Sequence, residues 1–220
     1  MQGNVGNDRH SSERGFTLVE LSIVLVIIGL LIGAVLKGQE LIESARLKSL
    51  MTQMNSYKTA TQIFKDRYGS LPGDFDEATT VLNASANGDG DGLIDGNGGN
   101  GEGPLFFEHL VRAELISGVS VNDPIPDSKA GNGEVQADND DVNQGSQDTN
   151  FFRAGGLNGV ASTRDILSGA QAGELDNNFD DGSGITGDIQ SEGGNDCRTN
   201  AGVHNFTDGD VACVFFVKIE

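Results

Sequence analysis

The sequence predicts an α+β protein in which one long N-terminal helix is followed by an acidic, loop-rich domain that closes on a β-strand. Three observations carry that expectation. The first is the run "RGFTLVELSIVLVIIGLLIGAVLKG", residues 14–38, where the 21 residues from Phe16 to Leu36 hold a single ionisable side chain, Glu20. The second is the stretch that follows, free of Pro and Gly from Gln39 to Tyr68 and apolar at helical spacing. The third is a shift in charge. Residues 16–70 carry six Lys or Arg against four acids, whereas residues 71–220 carry six against 27, in a chain of formal net charge −19.

The apolar run is too long for the 7–15-residue core of a cleaved secretory signal, and no convincing small-x-small site follows it. At 1.5 Å per residue its 21 residues extend about 31 Å, the thickness of a bilayer's hydrocarbon core. Arg9 and Arg14 precede it and favour an inside N-terminus, with Lys37 weakening the asymmetry. A plain anchor does not explain Glu20, because a carboxylate in a membrane segment is costly and therefore reads as functional. Beyond Gly38, Leu47, Leu50, Met54, Tyr57, Phe64 and Tyr68 recur three and four apart as one stripe. Arg46, Lys48, Lys58, Lys65 and Arg67 fall largely off it. Gly69 supplies a C-terminal cap and Pro72 prevents continuation. The first half, residues 16–38, is apolar all round; the second, residues 39–69, is amphipathic and must pack on the domain formed by residues 70–220.

In that domain, "NASANGDGDGLIDGNGGNGEG" places Asn87, Asp89, Asp91, Gly92 and Asp95 at positions 1, 3, 5, 6 and 9 of an EF-hand-like loop, with the Leu93 carbonyl at position 7. Side chains two apart with Gly between them can curl round one ion. Position 12 holds Gly98 instead of an acid, and Glu102 or a more distant carboxylate is the candidate substitute. Calcium binding and a plain Asn/Gly/Asp loop are equal readings of this spacing. A second cluster, Asp176, Asp180 and Asp181, suits a helix cap and turn better than an ion. "FFEHLVRAELISG" reads as a helix with Phe106, Leu110 and Ala113 on one face and Gly118 at its end. Residues 122–150 read as a long exposed loop, and Ser162–Thr163 as the start of a short helix through Leu175. "DVACVFFVKIE" is a strand with Val211, Cys213, Phe215, Val217 and Ile219 on one face. If the apolar run holds the domain outside the cytoplasm, Cys197 and Cys213 meet an oxidising compartment and are expected to bridge; two buried free thiols are the alternative.

The N-terminal residues resemble a known family. "RG" followed by "FTLVELSIVLVIIGLL" is similar to the type IV prepilin signature shared by pilins and by the pseudopilins of type II secretion. The resemblance implies an α+β, type IV pilin-like fold, with the long helix packed against a small antiparallel sheet. It implies that residues 1–15 are a leader removed by prepilin peptidase between Gly15 and Phe16, and that Phe16 is then N-methylated. It makes Glu20 an assembly residue, whose carboxylate neutralises the amine of a neighbouring subunit in a helical homo-oligomer. The implied route runs from the bacterial inner membrane, through the pilus assembly machinery, to an extracellular filament. "YGSLPGDF", "GDGDGLI" and "LDNNFDDGSGITGDI" follow the order of a group of pilin-like proteins, less specifically. Where that family often has a Pro near Lys37, none occurs here, though Gly29, Gly33 and Gly38 can loosen the helix.

No cofactor is required by this reading. After residue 15 the chain has two histidines, His109 and His204, and no Trp, H-E-x-x-H or G-x-S-x-G, so catalysis is not expected, and His109 reads as a packing residue. The acidic domain disfavours nucleic acid, whose phosphates need cationic partners. Three functions remain: a type IV pilus subunit, a pseudopilin, and an anchored calcium-binding or adhesive module that never polymerises.

Overall fold

The apolar repeat folds as the spacing demands. Helix α1 runs Leu18–Tyr68, and Gly69, at φ 81°, takes the left-handed conformation that ends it. The computed structural model describes residues 16–95, 101–131, 133–139, 149–155, 166–192, 197–199, 201–204 and 211–219. The chain divides into two compact units, Met1–Glu43 and Ser44–Glu220. In the first, the apolar residues of α1 from Leu18 to Ile42 are exposed on every side, and α1 is long and apolar enough to cross a membrane.

In the second unit, the predicted stripe is the buried face of α1, with Leu47, Leu50, Met54, Tyr57 and Phe64 inside. It packs with helix α3 (Glu102–Arg112) and an antiparallel sheet; a short helix, α2, spans Ala78–Val81. The sheet holds β1 (Glu134–Asp138), β2 (Phe151–Gly155), β3 (Leu167–Ser168), β4 (Ile189–Glu192) and β5 (Val211–Lys218). β1 pairs β2, and β2 pairs one edge of β5 through residues 215–218. On the other edge β4 pairs residues 214–217, and β3 pairs Cys213 and Val211. Tyr57 of α1 meets Phe107 of α3 at 5.3 Å and Phe152 of β2 at 5.9 Å between ring centroids, and Phe106 meets Phe152 at 5.5 Å. Each such pair contributes about 0.5–1.5 kcal/mol beyond the area it buries.

Gln53 fastens α1 to the segment between α3 and β1. Its Nε2 donates to the Asp127 carbonyl at 2.7 Å and to Tyr57 Oη at 3.1 Å, while its Oε1 accepts from the Lys129 amide at 3.0 Å. One buried amide thereby satisfies both ends of itself.

Three sequence expectations need correction. Residues 122–150 are not a loop throughout, because β1 lies within them. Helix α3 stops at Arg112, well before Gly118. The amide of Glu114 donates to the Val111 carbonyl and that of Leu115 to the Leu110 carbonyl, the paired bonds of a Schellman ending. Its left-handed position, usually Gly, is filled by Glu114 at φ 59°. Helix α4 runs Gly169–Phe179 and starts at Ser168, where a capping box joins Ser168 to Gln171. The earlier start expected at Ser162–Thr163 falls outside the described residues, and β3 occupies Leu167–Ser168.

Candidate functional site

Two constellations stand out, one at the head of α1 and one where the loop after α2 meets α3. At the first, Thr17 precedes the helix. Its Oγ1 accepts from the Glu20 amide at 3.2 Å, while Glu20 Oε2 accepts from the Thr17 amide at 2.8 Å and from Thr17 Oγ1 at 2.9 Å. This is a reciprocal capping box, satisfying two amides that a helix start would otherwise leave bare. Sequence reasoning found Glu20 but missed Thr17, although the T-x-x-E spacing was there to be read. Both bonds to the side chain fall on Oε2. Phe16 is 82% exposed; Gly15 lies outside the described residues.

The second constellation is built by backbone approach. After α1, the chain turns through Gly73, at φ 88°, and buries Asp74 at 2% exposure. The loop returns so closely at Gly88 that a Cβ there would lie 2.3 Å from the Asp74 carbonyl carbon; only Gly fits. Asp74 Oδ2 accepts from Ser70 Oγ at 3.2 Å and from the Gly92 amide at 3.1 Å. Glu102, in the first turn of α3, accepts from the Asp89 amide at 2.8 Å and from the Asp95 amide at 3.2 Å.

Around that frame, Asp89 Oδ1 accepts from the Asp91 amide and Asp91 Oδ1 from the Leu93 amide, tight Asx turns that curl the loop. Asn87 Oδ1 accepts from the Thr79 amide at 2.7 Å. Asp95 Oδ1 accepts from Asn139 Nδ2 at 3.0 Å. Asn150 holds the loop from beneath, accepting from the Ile94 amide and donating to the Gly92 carbonyl. Carboxylate oxygens of Asp74, Asp89 and Glu102 come within 4.8 Å of one another, and so do those of Asp89, Asp91 and Asp95. Asp89 belongs to both groups. Burial pushes the carboxyl groups of Asp74 and Glu102 above their ordinary values, and neighbouring carboxylates push the same way. Gly98 is outside the described residues.

His109 of α3 holds both ends of this loop. Its Nδ1 accepts from the Gly73 amide at 2.9 Å, so Nε2 carries the proton and donates to the Ala86 carbonyl at 3.3 Å. Burial lowers its pKa below the ordinary imidazole value.

The third acidic group, Asp176, Asp180 and Asp181, also converges, but its carboxylates are spent on the chain. Asp176 accepts from the Gly182 amide and pairs with His204 Nε2 at 2.8 Å; Asp180 accepts from the Ile189 amide; Asp181 accepts from the Ser183 amide and Thr186 Oγ1. Cys197 and Cys213 form a disulfide, with Cα atoms 5.1 Å apart.

Residues 10–36 match the family model of the prokaryotic N-terminal methylation motif, the prepilin-type cleavage and methylation signature of type IV pilins and pseudopilins. No curated protein and no solved structure matches the chain. The signature is that of structural subunits whose precursors are membrane-anchored and are processed by prepilin peptidase. The chain thus carries a prepilin-type N-terminal signature on an α+β fold of one long N-terminal helix and a small antiparallel sheet, an architecture that matches the type IV pilin-like one.

Proposed function

We propose that the chain is a structural subunit of a type IV pilus filament, cleaved between Gly15 and Phe16 and methylated on the new Phe16 amine. The observation that carries this reading is the placement of Glu20. It sits in the first turn of an otherwise apolar helix start, four residues from the future amine, with its recorded bonds falling on Oε2 alone.

In a filament core the amine of one subunit and Glu20 of its neighbour neutralise each other. A buried pair gains little over apolar packing, but a buried charge left alone costs about 3–5 kcal/mol, so the pairing fixes register between subunits. Repeating one such heterologous contact without ring closure yields an open helical polymer.

Glu20→Ala tests the role. The variant is expected to be cleaved and methylated normally, by intact mass, yet to give no sheared surface fibres; normal fibres would sink the pairing argument.

The same helix start supports a second reading, a pseudopilin, which polymerises briefly within a secretion apparatus. N-terminal sequencing of cell fractions separates the two. A chain beginning at methylated Phe16 and abundant in the extracellular fibre fraction is a pilus subunit. The same processed chain confined to the inner membrane is a pseudopilin.

A further inference from the structure

We propose that Asp74, Asp89 and Glu102 form a site for one hard divalent cation, Ca²⁺ by preference, held between the turn after α1, the loop after α2 and the first turn of α3. Two independent observations meet here. The three carboxylates converge within 4.8 Å of one another from three separate segments. Asp74, 2% exposed, has a second carboxylate oxygen, Oδ1, that is buried with no hydrogen-bond partner among the described residues.

An orphaned carboxylate oxygen in a dry site is costly, whether the group is ionised or protonated. The amides of Gly92, Asp89 and Asp95 are committed to Asp74 Oδ2 and to Glu102, and that of Gly90 to the Asp74 carbonyl. What the site has in excess is oxygen and negative charge, and a cation supplies the missing counterpart.

The spacing fits an ion of that size. Calcium binds oxygens at about 2.3–2.6 Å, so two ligands on opposite sides of it are about 4.6–5.2 Å apart. Three ligand atoms all within 4.8 Å can therefore surround one ion. Calcium takes six to eight oxygens in irregular geometry, whereas Mg²⁺ demands a regular octahedron and keeps most of its waters. Asp89 links this trio to Asp91 and Asp95, which extend the acidic wall to the surface and give an entering ion a path. The donor set is not the one an EF-hand spacing predicts. It takes Asp74 from the turn before the loop and Glu102 from the helix after it, and it leaves Asn87 on the Thr79 amide. The site stands whether or not the chain polymerises.

Calorimetry on the full-length chain in detergent, first stripped with chelator, tests it. Titration with CaCl₂ is expected to show one saturable site, with MgCl₂ at least 10-fold weaker. Asp74→Asn keeps an acceptor for Ser70 and Gly92 but drops the charge, and is expected to weaken calcium at least 10-fold. Because Asp74 is buried, far-UV circular dichroism must first show that the variant folds. If it does not, Asp89→Asn, at an exposed position, decides with the same expected loss. Asp181→Asn, in the separate cluster near β4, is expected to bind as the wild type does. Absence of calcium binding by the wild type overturns the proposal. So does unchanged affinity in whichever of Asp74→Asn or Asp89→Asn folds, or a loss found in Asp181→Asn alone.

Discussion

Thr17 gives Glu20 a partner inside its own chain. The carboxylate that the filament reading assigns to a neighbour's amine is already fixed in the first turn of α1 by a threonine three residues earlier. The two roles are compatible, since the capping bonds use Oε2 and survive cleavage, which alters only the nitrogen of Phe16. Holding the carboxylate in one rotamer before assembly lowers the entropy lost when the amine arrives. Loss of such a cap costs about 0.5–2 kcal/mol, enough to fray a helix end but not to remove a charge pair. Thr17→Val should therefore reduce the yield of sheared fibres without abolishing them, and Thr17→Ser should restore it. Wild-type fibre yield from Thr17→Val would mean that the cap is idle in assembly. The pattern that reveals Thr17 is plain in the sequence. It escapes notice because a recognised motif already explains Glu20.

At the scale of the element, α3 does more than fill the core. It carries Glu102 at its start, and about two turns on it presents His109 to both ends of the loop. The fold requires this imidazole neutral, since Nδ1 accepts a backbone amide that can only donate. Its folded pKa is depressed, first by burial, so protonation favours the unfolded chain. The stabilisation is fully present above the ordinary value of 6.5 and is lost as pH falls through that value toward the depressed one. The stability difference between wild type and His109→Gln, from denaturant melts, should narrow steadily as pH falls from about 7.5 to 5.5. A gap that stays constant would mean His109 does not titrate on unfolding. Subtracting the variant removes the contribution of the acidic groups common to both.

The elements differ in how far they could be read in advance. The buried face of α1 was legible because five apolar residues at helical spacing decide it. β5 was legible from its alternation: its residues Cys213, Phe215 and Val217 are buried, as is Ile219 just past its end. β1 was not, because "EVQAD" is short and its flanks are rich in Gly, Asp and Asn. Tertiary pairing with β2, not local propensity, makes it a strand. The end of α3 was misplaced because the left-handed residue is Glu114 rather than glycine. Asp74 had no local mark as a ligand either. Its importance lies in a return of the chain 14 residues later at Gly88, a contact that no periodicity encodes.

For the whole molecule, the arrangement of the second unit makes β5 the joint of the sheet, with β2 along one edge, β3 and β4 along the other, and a covalent tie from its middle to Cys197. Closing a loop of sequence separation 16 stabilises by about 3 kcal/mol in the chain-entropy picture. The Cys197→Ser, Cys213→Ser double variant should lose about that much in denaturant melts of the oxidised protein, and added reductant should bring the wild type to the same midpoint. If the wild type melts identically with and without reductant, the tie contributes nothing to stability. β5 also follows in sequence every strand it pairs with. A ribosome therefore makes β2, β3 and β4 before the strand that joins them exists, and a chain stopped before Val211 has edges but no centre. Joining of the β1–β2 pair to β3 and β4 consequently waits for the end of synthesis. Truncated chains keep the apolar helix yet present unpaired strand edges to proteases and chaperones. A mechanism that clears such chains would leave only completed ones.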